Sequence, residues 1–148
     1  MLSYSEYVNN SDKINIMLKN LEEEFSKYIN LRNLENGELK TEWTSYPDKI
    51  FLLDDDFGFI LVPNKMGGYY SDIGISVYSA YKVGKKFTYS NFGSANTQVD
   101  LYYSPKDNIE EFVKHVIAKM KTRNEIRIKN KEKRELIKTT NKYNIWSI

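Results

Sequence analysis

The sequence predicts an α+β fold: an antiparallel β-meander of about five strands, covered on one face by an N-terminal and a C-terminal amphipathic helix, with a basic C-terminal extension. Three observations carry this. Apolar residues recur at helical spacing near both ends of the chain. Between them the period drops to two, with turn residues at short intervals. Those intervals are too short for the helical crossovers that parallel strands need. The 148 residues are read as a single domain: 1–36 helical, 38–104 sheet, and 107–148 helical, basic from 119.

The first helix is carried by Ile14, Met17, Leu18, Leu21, Phe25, Tyr28 and Ile29, which form one stripe. Ser3 with Glu6, or Ser11 or Asp12, supplies the start. Asn36-Gly37 supplies the stop, because glycine enters the left-handed conformation at little cost. In the sheet, Leu39, Thr41 and Trp43 alternate with Lys40 and Glu42. Ile50 to Leu53 and Phe57 to Val62 form a hairpin with Asp54 to Asp56 at its tip. Residues 63–68 read as a loop. A long strand over 69–83 places Ile73, Ile75, Val77, Tyr81 and Val83 on one side. Gly84-Lys85 turns into a strand with Phe87 and Tyr89. Residues 91–98 read as a loop or bulge, and Val99, Leu101 and Tyr103 as the last strand face.

The second helix begins near Asp107, which has capping-box spacing to Glu110. Ile109, Phe112, Val113, Val116, Ile117 and Met120 form its stripe, which stops at Met120. From 121 to 135 the apolar signal shrinks to Ile126 and Ile128, so a short edge strand competes there with a solvated helix. Leu136, Ile137, Ile145, Trp146 and Ile148 are expected to anchor the tail.

Formal net charge is +2, and it hides an asymmetry. Residues 119–148 hold ten basic and three acidic side chains, while the remainder carries 12 basic and 17 acidic. Dense positive charge where apolar periodicity vanishes is a footprint for phosphate or an acidic protein surface. Lys121, Arg123, Arg127, Lys129, Lys131, Lys133 and Arg134 are therefore the candidate partner- or nucleic-acid-binding residues. Their side chains are expected to face outward, so replacing Arg123, Arg127, Lys131 and Arg134 with alanine should leave stability nearly unchanged. A solvated helix face is the competing account of the same charges. Tyr69, Tyr70, Tyr78, Phe92 and Tyr102 would suit base stacking if exposed, but an RNP-type signature is lacking.

Catalytic constellations are not found. The chain has one histidine and no cysteine, which leaves no His/Cys metal set, Ser-His-Asp triad or Cys-His pair. His115 falls on the polar side of its helix. Asp54 to Asp56 suit a hard cation by chemistry but not by the spacing of an EF-hand. Glu38-Leu39-Lys40 matches half of a nuclease site and lacks its upstream Asp. Lys85-Lys86 follows no phosphate-loop pattern, and Gly67-Gly68 opens no helix. No cofactor and no catalytic residue are assigned.

Absence of cysteine fits a reducing compartment, and the start of the chain lacks a signal-like apolar run, so a cytoplasmic protein is expected. High Tyr, Lys, Asn and Ile match AT-rich coding, as in low-GC bacteria or their phages. In type, though not in motif, the chain resembles phage anti-defence and toxin-immunity proteins: short, cysteine-free and without catalytic signature. The function expected is a non-enzymatic binding protein that inhibits or modulates a larger protein or nucleoprotein target, in nucleic-acid machinery, through the basic segment. Direct DNA or RNA binding by the same segment is the alternative, and a metal-dependent enzyme using Asp54 to Asp56 or Glu38 the third reading. No membrane partner is expected, and oligomeric state is not assigned.

Overall fold

A computed structural model of the chain describes residues 4–35, 37–40, 48–64, 73–89 and 101–146. Helix α1 spans Tyr4–Ser26. Strands follow in the order β1 (Asn30–Asn33), β2 (Leu39–Lys40), β3 (Lys49–Asp54), β4 (Phe57–Asn64), β5 (Gly74–Val83), β6 (Lys86–Tyr89) and β7 (Tyr102–Tyr103). Helix α2, Ile109–Trp146, closes the described chain. The α+β class holds, and both helices flank the sheet. The predicted strands or loops at 41–47, 65–72 and 90–100 lie outside the described residues, as do Ser3 and Ile148.

Strands β1, β3, β4, β5 and β6 form the antiparallel meander. Its first strand is Asn30–Asn33, not the predicted 39–43. Helix α1 therefore ends ten residues before Asn36. Periodicity could not show this, because Ile29 still bonds Phe25 in helical fashion, its N–H donating to the Phe25 carbonyl at 3.0 Å, and is buried. Gly37, at φ 80°, serves a turn between β1 and β2 and not a helix stop. Nor do Ser11 and Asp12 start a helix; α1 runs through them.

The first core lies between the two helices and one sheet face. Phe25 from α1 meets Phe51 and Phe59, whose rings stack at 5.0 Å. Ile14, Leu21, Ile75, Val77, Val113, Val116 and Met120 complete it, all fully buried. Burial of such side chains contributes roughly 1.5–3 kcal/mol each. The helix residues among them belong to the stripes read from the sequence, and Ile75 and Val77 to the predicted strand face; Tyr28, Tyr81 and Val83, expected alongside them, are exposed instead, because they lie past the ends of the packed segments.

The sequence predicts a polar opposite face, and the structure differs. Ile50, Ile60, Ala80 and Phe87 form a second buried cluster there, bordered by Leu34, Leu39, Leu52, Val62, Tyr78 and Tyr89. The reason is curvature. Strands β1 and β2 occupy opposite ends of the strand order β1-β3-β4-β5-β6-β2, yet only residues 34–38 join them. Extended, that link reaches about 20 Å. Six strands laid flat would put the ends about 24 Å apart. The sheet must bend, and it bends around the second cluster. Strand β2 accordingly pairs with β6 in parallel, against the all-antiparallel expectation.

An ion pair fixes the closure. The Arg32 guanidinium donates two hydrogen bonds to the Glu38 carboxylate, each at 2.8 Å, and lies 5.9 Å from the centre of the Phe87 ring. The bond from Arg32 holds the Glu38 carboxyl down at about 2, against an ordinary 4.5, with further help from the Glu35 N–H. A depressed acid stabilises the fold above its unfolded pKa, and that contribution is lost as pH falls through the folded value. Glu38→Gln should therefore cost on the order of 1–2 kcal/mol near pH 7, discounted for the partly exposed partner. The deficit relative to wild type should shrink between pH 4.5 and about 2, as read by urea denaturation across that range.

Candidate cationic interface

Helix α2 begins one residue later than expected. Asn108 caps it, with Oδ1 accepting from the Glu111 N–H at 3.1 Å. Asp107 instead accepts from the N–H and hydroxyl of Ser104. From there α2 runs in the direction of β5. Phe112 packs on Tyr103, which pairs with Ile75 at the start of β5. Met120 accepts a hydrogen bond from Ser79 midway. Arg127 sits over Phe57, which pairs with Tyr81. Fifteen helical residues cover about 22 Å and six strand residues about 20 Å, so helix and strand advance in step.

The segment 121–135, ambiguous in sequence, is helix. Its inner turns hold to the body and its outer turns do not. Arg123 is half-buried, and its Nη1 donates to the Ser79 hydroxyl at 2.6 Å. Desolvation lowers its pKa, though it stays a cation. Arg127 is held by the β3–β4 hairpin tip. Its Nη2 is 2.9 Å from Asp56 and 3.3 Å from Asp54, and its Nη1 donates to Asp56 at 3.0 Å. Its Nε and Nη2 also donate to the Asn124 Oδ1, and the guanidinium lies 5.4 Å from the centre of the Phe57 ring.

Two of the seven candidate residues are thus not free. Arg127 is neutralised by the chain's own acids, and Arg123 is tied to the sheet. The other five, Lys121, Lys129, Lys131, Lys133 and Arg134, are exposed and make no ion pair among the described residues. Arg134 only touches the Asn130 carbonyl of its own helix. Leu136 and Ile137 do not anchor the tail either: they are 66% and 50% exposed. The side chains of 145 and 146 lie outside the described set.

Beyond Ile128 every described side chain is exposed. The backbone stays helical to Trp146, a projection of about 27 Å. It persists because it extends an anchored helix, so no new nucleus is needed. Lys, Glu, Arg and Leu are good helix formers, and Glu125 with Lys129 has favourable spacing.

The other sequence candidates are accounted for by structure. Glu38 belongs to the sheet closure. Tyr102 is buried, and Tyr78 packs against Tyr89 at 5.9 Å. Tyr69, Tyr70 and Phe92 lie outside the described residues. His115 is exposed. Both Asp56 oxygens and the Asp54 Oδ2 face Arg127, while the Asp54 Oδ1 accepts from the Asp55 N–H, and no group of three His, Cys, Asp or Glu is placed to hold a metal among the described residues. No helix among them is long and apolar enough to cross a membrane.

Sequence reasoning missed the lysines of the β5–β6 turn. Lys82, Lys85 and Lys86 are exposed at the same end of the sheet from which α2 departs. Their signal was present as three lysines flanking Gly84, but only strand pairing shows which end they occupy. No protein-family model, curated protein or solved structure matches the chain.

The four-residue alanine substitution will therefore not be silent. Arg127→Ala alone should cost about 1–2 kcal/mol, because it strands two carboxylates and removes a bidentate contact. Arg127→Lys should recover less than half, since an ammonium cannot make the fork. Lys131→Ala with Arg134→Ala should stay within about 0.5 kcal/mol of wild type. Urea denaturation monitored by circular dichroism reads all three.

Proposed function

We propose that this chain is a non-enzymatic cytoplasmic binding protein that modulates nucleic-acid machinery through the outer half of α2, in the manner of a phage anti-defence or immunity protein. The observation that carries it is the separation of roles within one helix. Residues up to Ile128 serve the fold, and the described side chains beyond it are all exposed. From 129 to 146 the helix holds six basic and two acidic residues, and over 129–141 no side chain packs on the body. Such an arm meets phosphate, or an acidic surface on a protein that handles nucleic acid.

One observation favours the acidic protein surface. At 100° per residue Ile126, Lys129, Lys133, Leu136 and Ile137 share about 100° of arc. Three exposed apolar side chains on one side fit a groove better than they fit phosphates.

Affinity capture from cell lysate, with and without nuclease, tests the reading. Wild-type protein should retain components of nucleic-acid machinery in a salt-sensitive manner. The variant K129Q/K131Q/K133Q/R134Q should keep its melting temperature within about 2 °C and lose at least about 90% of the captured material, because only solvent-facing charge has changed. Full retention by that variant would contradict the proposal.

A further inference from the structure

We infer that the cationic interface has two limbs, the outer half of α2 and the β5–β6 turn, and that together they take the phosphodiester backbone of a nucleic acid. This rests on the reading of α2 as a binding arm and names its ligand.

The limbs meet at Asp56. Its carboxylate holds Arg127 at the point where α2 leaves the sheet. Its carbonyl accepts from the N–H of Lys82 at 2.8 Å, the residue that leads into the β5–β6 turn. One residue thus ties the root of the helical arm to the root of the turn. From this junction α2 carries Lys129, Lys131, Lys133 and Arg134 outward. The turn carries Lys85 and Lys86, exposed and without an ion pair among the described residues. Lys82 also leans over Phe87, its Nζ 5.7 Å from the ring centre. Of the tip acids, Asp54 and Asp56 face Arg127, and Asp55 alone has no cation beside it among the described residues.

The exposed Ile126, Leu136 and Ile137 speak for a protein groove, but the spread of the cations over several helix faces and two separate elements speaks more strongly for a polyanion. A groove reads one face of a helix, but Lys131 and Arg134 lie well off the arc that holds Lys129 and Lys133. The turn adds charge from a separate element. A phosphodiester chain presents charge at regular short intervals, so it can engage both limbs without matched side chains. Contact with it displaces condensed counterions, and the salt dependence of affinity counts the phosphates engaged.

Binding to a DNA duplex and to a single-stranded RNA, each of about 20 nucleotides in length, measured by fluorescence anisotropy over a salt series, tests this. Wild type should give a linear fall of log affinity with log salt. K85Q/K86Q should flatten the duplex slope by about 1–2, at roughly 0.9 per lost contact. K129Q/K131Q/K133Q/R134Q should flatten it further. K13Q/K114Q, which removes as much charge as K85Q/K86Q but from α1 and the early turns of α2, should leave it unchanged. Binding of one nucleic acid and not the other supports the inference and identifies the source of the phosphates. A K85Q/K86Q slope equal to wild type, with the α2 variant flattened, overturns the second limb and leaves the arm standing. No binding of either nucleic acid, with lysate capture persisting after nuclease, overturns the inference in favour of an acidic protein partner.

Discussion

Among the described residues Arg127 is the last cation of α2 that the body holds, and its position sets what the molecule can present. The guanidinium bridges Asp54 and Asp56 and covers Phe57. Apolar contact alone would have released the helix at Met120, where the stripe ends. Pairing with the hairpin tip extends the anchored stretch by about two more helical turns and fixes the direction in which the remainder points. It also answers the acidic tip, which would otherwise oppose any anionic ligand at that end. A single side chain therefore links the sheet, the exit of the helix and the sign of the surface.

That surface is rigid at its base because the sheet is curved and filled on both faces. Helices α1 and α2 close one face around Phe25, Phe51 and Phe59. The other face wraps Ile50, Ile60, Ala80 and Phe87, and Arg32 with Glu38 joins its two margins. Gly58 shows how close the strands come: a Cβ there would collide with the Phe51 carbonyl. The hairpin tip that receives Arg127 springs from these packed strands. An arm mounted on a loop would lack such a base.

Much of the body was legible in the sequence. The stripes of both helices, the β3–β4 hairpin and the Gly84-Lys85 turn were set by period and turn chemistry, which are local. What escaped was non-local. The run from Phe57 to Val62 is apolar at nearly every position, the mark of a strand buried on both faces, but nothing local says that the sheet curls to bury the second. The end of α1 was obscured because Ile29 serves a helical turn and the core alike. Arg127 and Asp56 are 71 residues apart, so charge counting placed the arginine with its free neighbours. The lysines of the β5–β6 turn were not singled out for the same reason: only strand pairing shows which end of the sheet they share with α2.

Binding by the outer half of α2 requires it to be a solvated arm and not a helix packed against anything. Native-state amide hydrogen exchange, resolved along α2, measures this directly. Protection should be high over residues 112–124, where the stripe is buried, and fall steeply beyond Ile128 toward the opening free energies of a fraying terminus. Uniform protection from residue 112 to residue 141 would contradict it, for some surface would then have to cover the side chains described here as open to solvent.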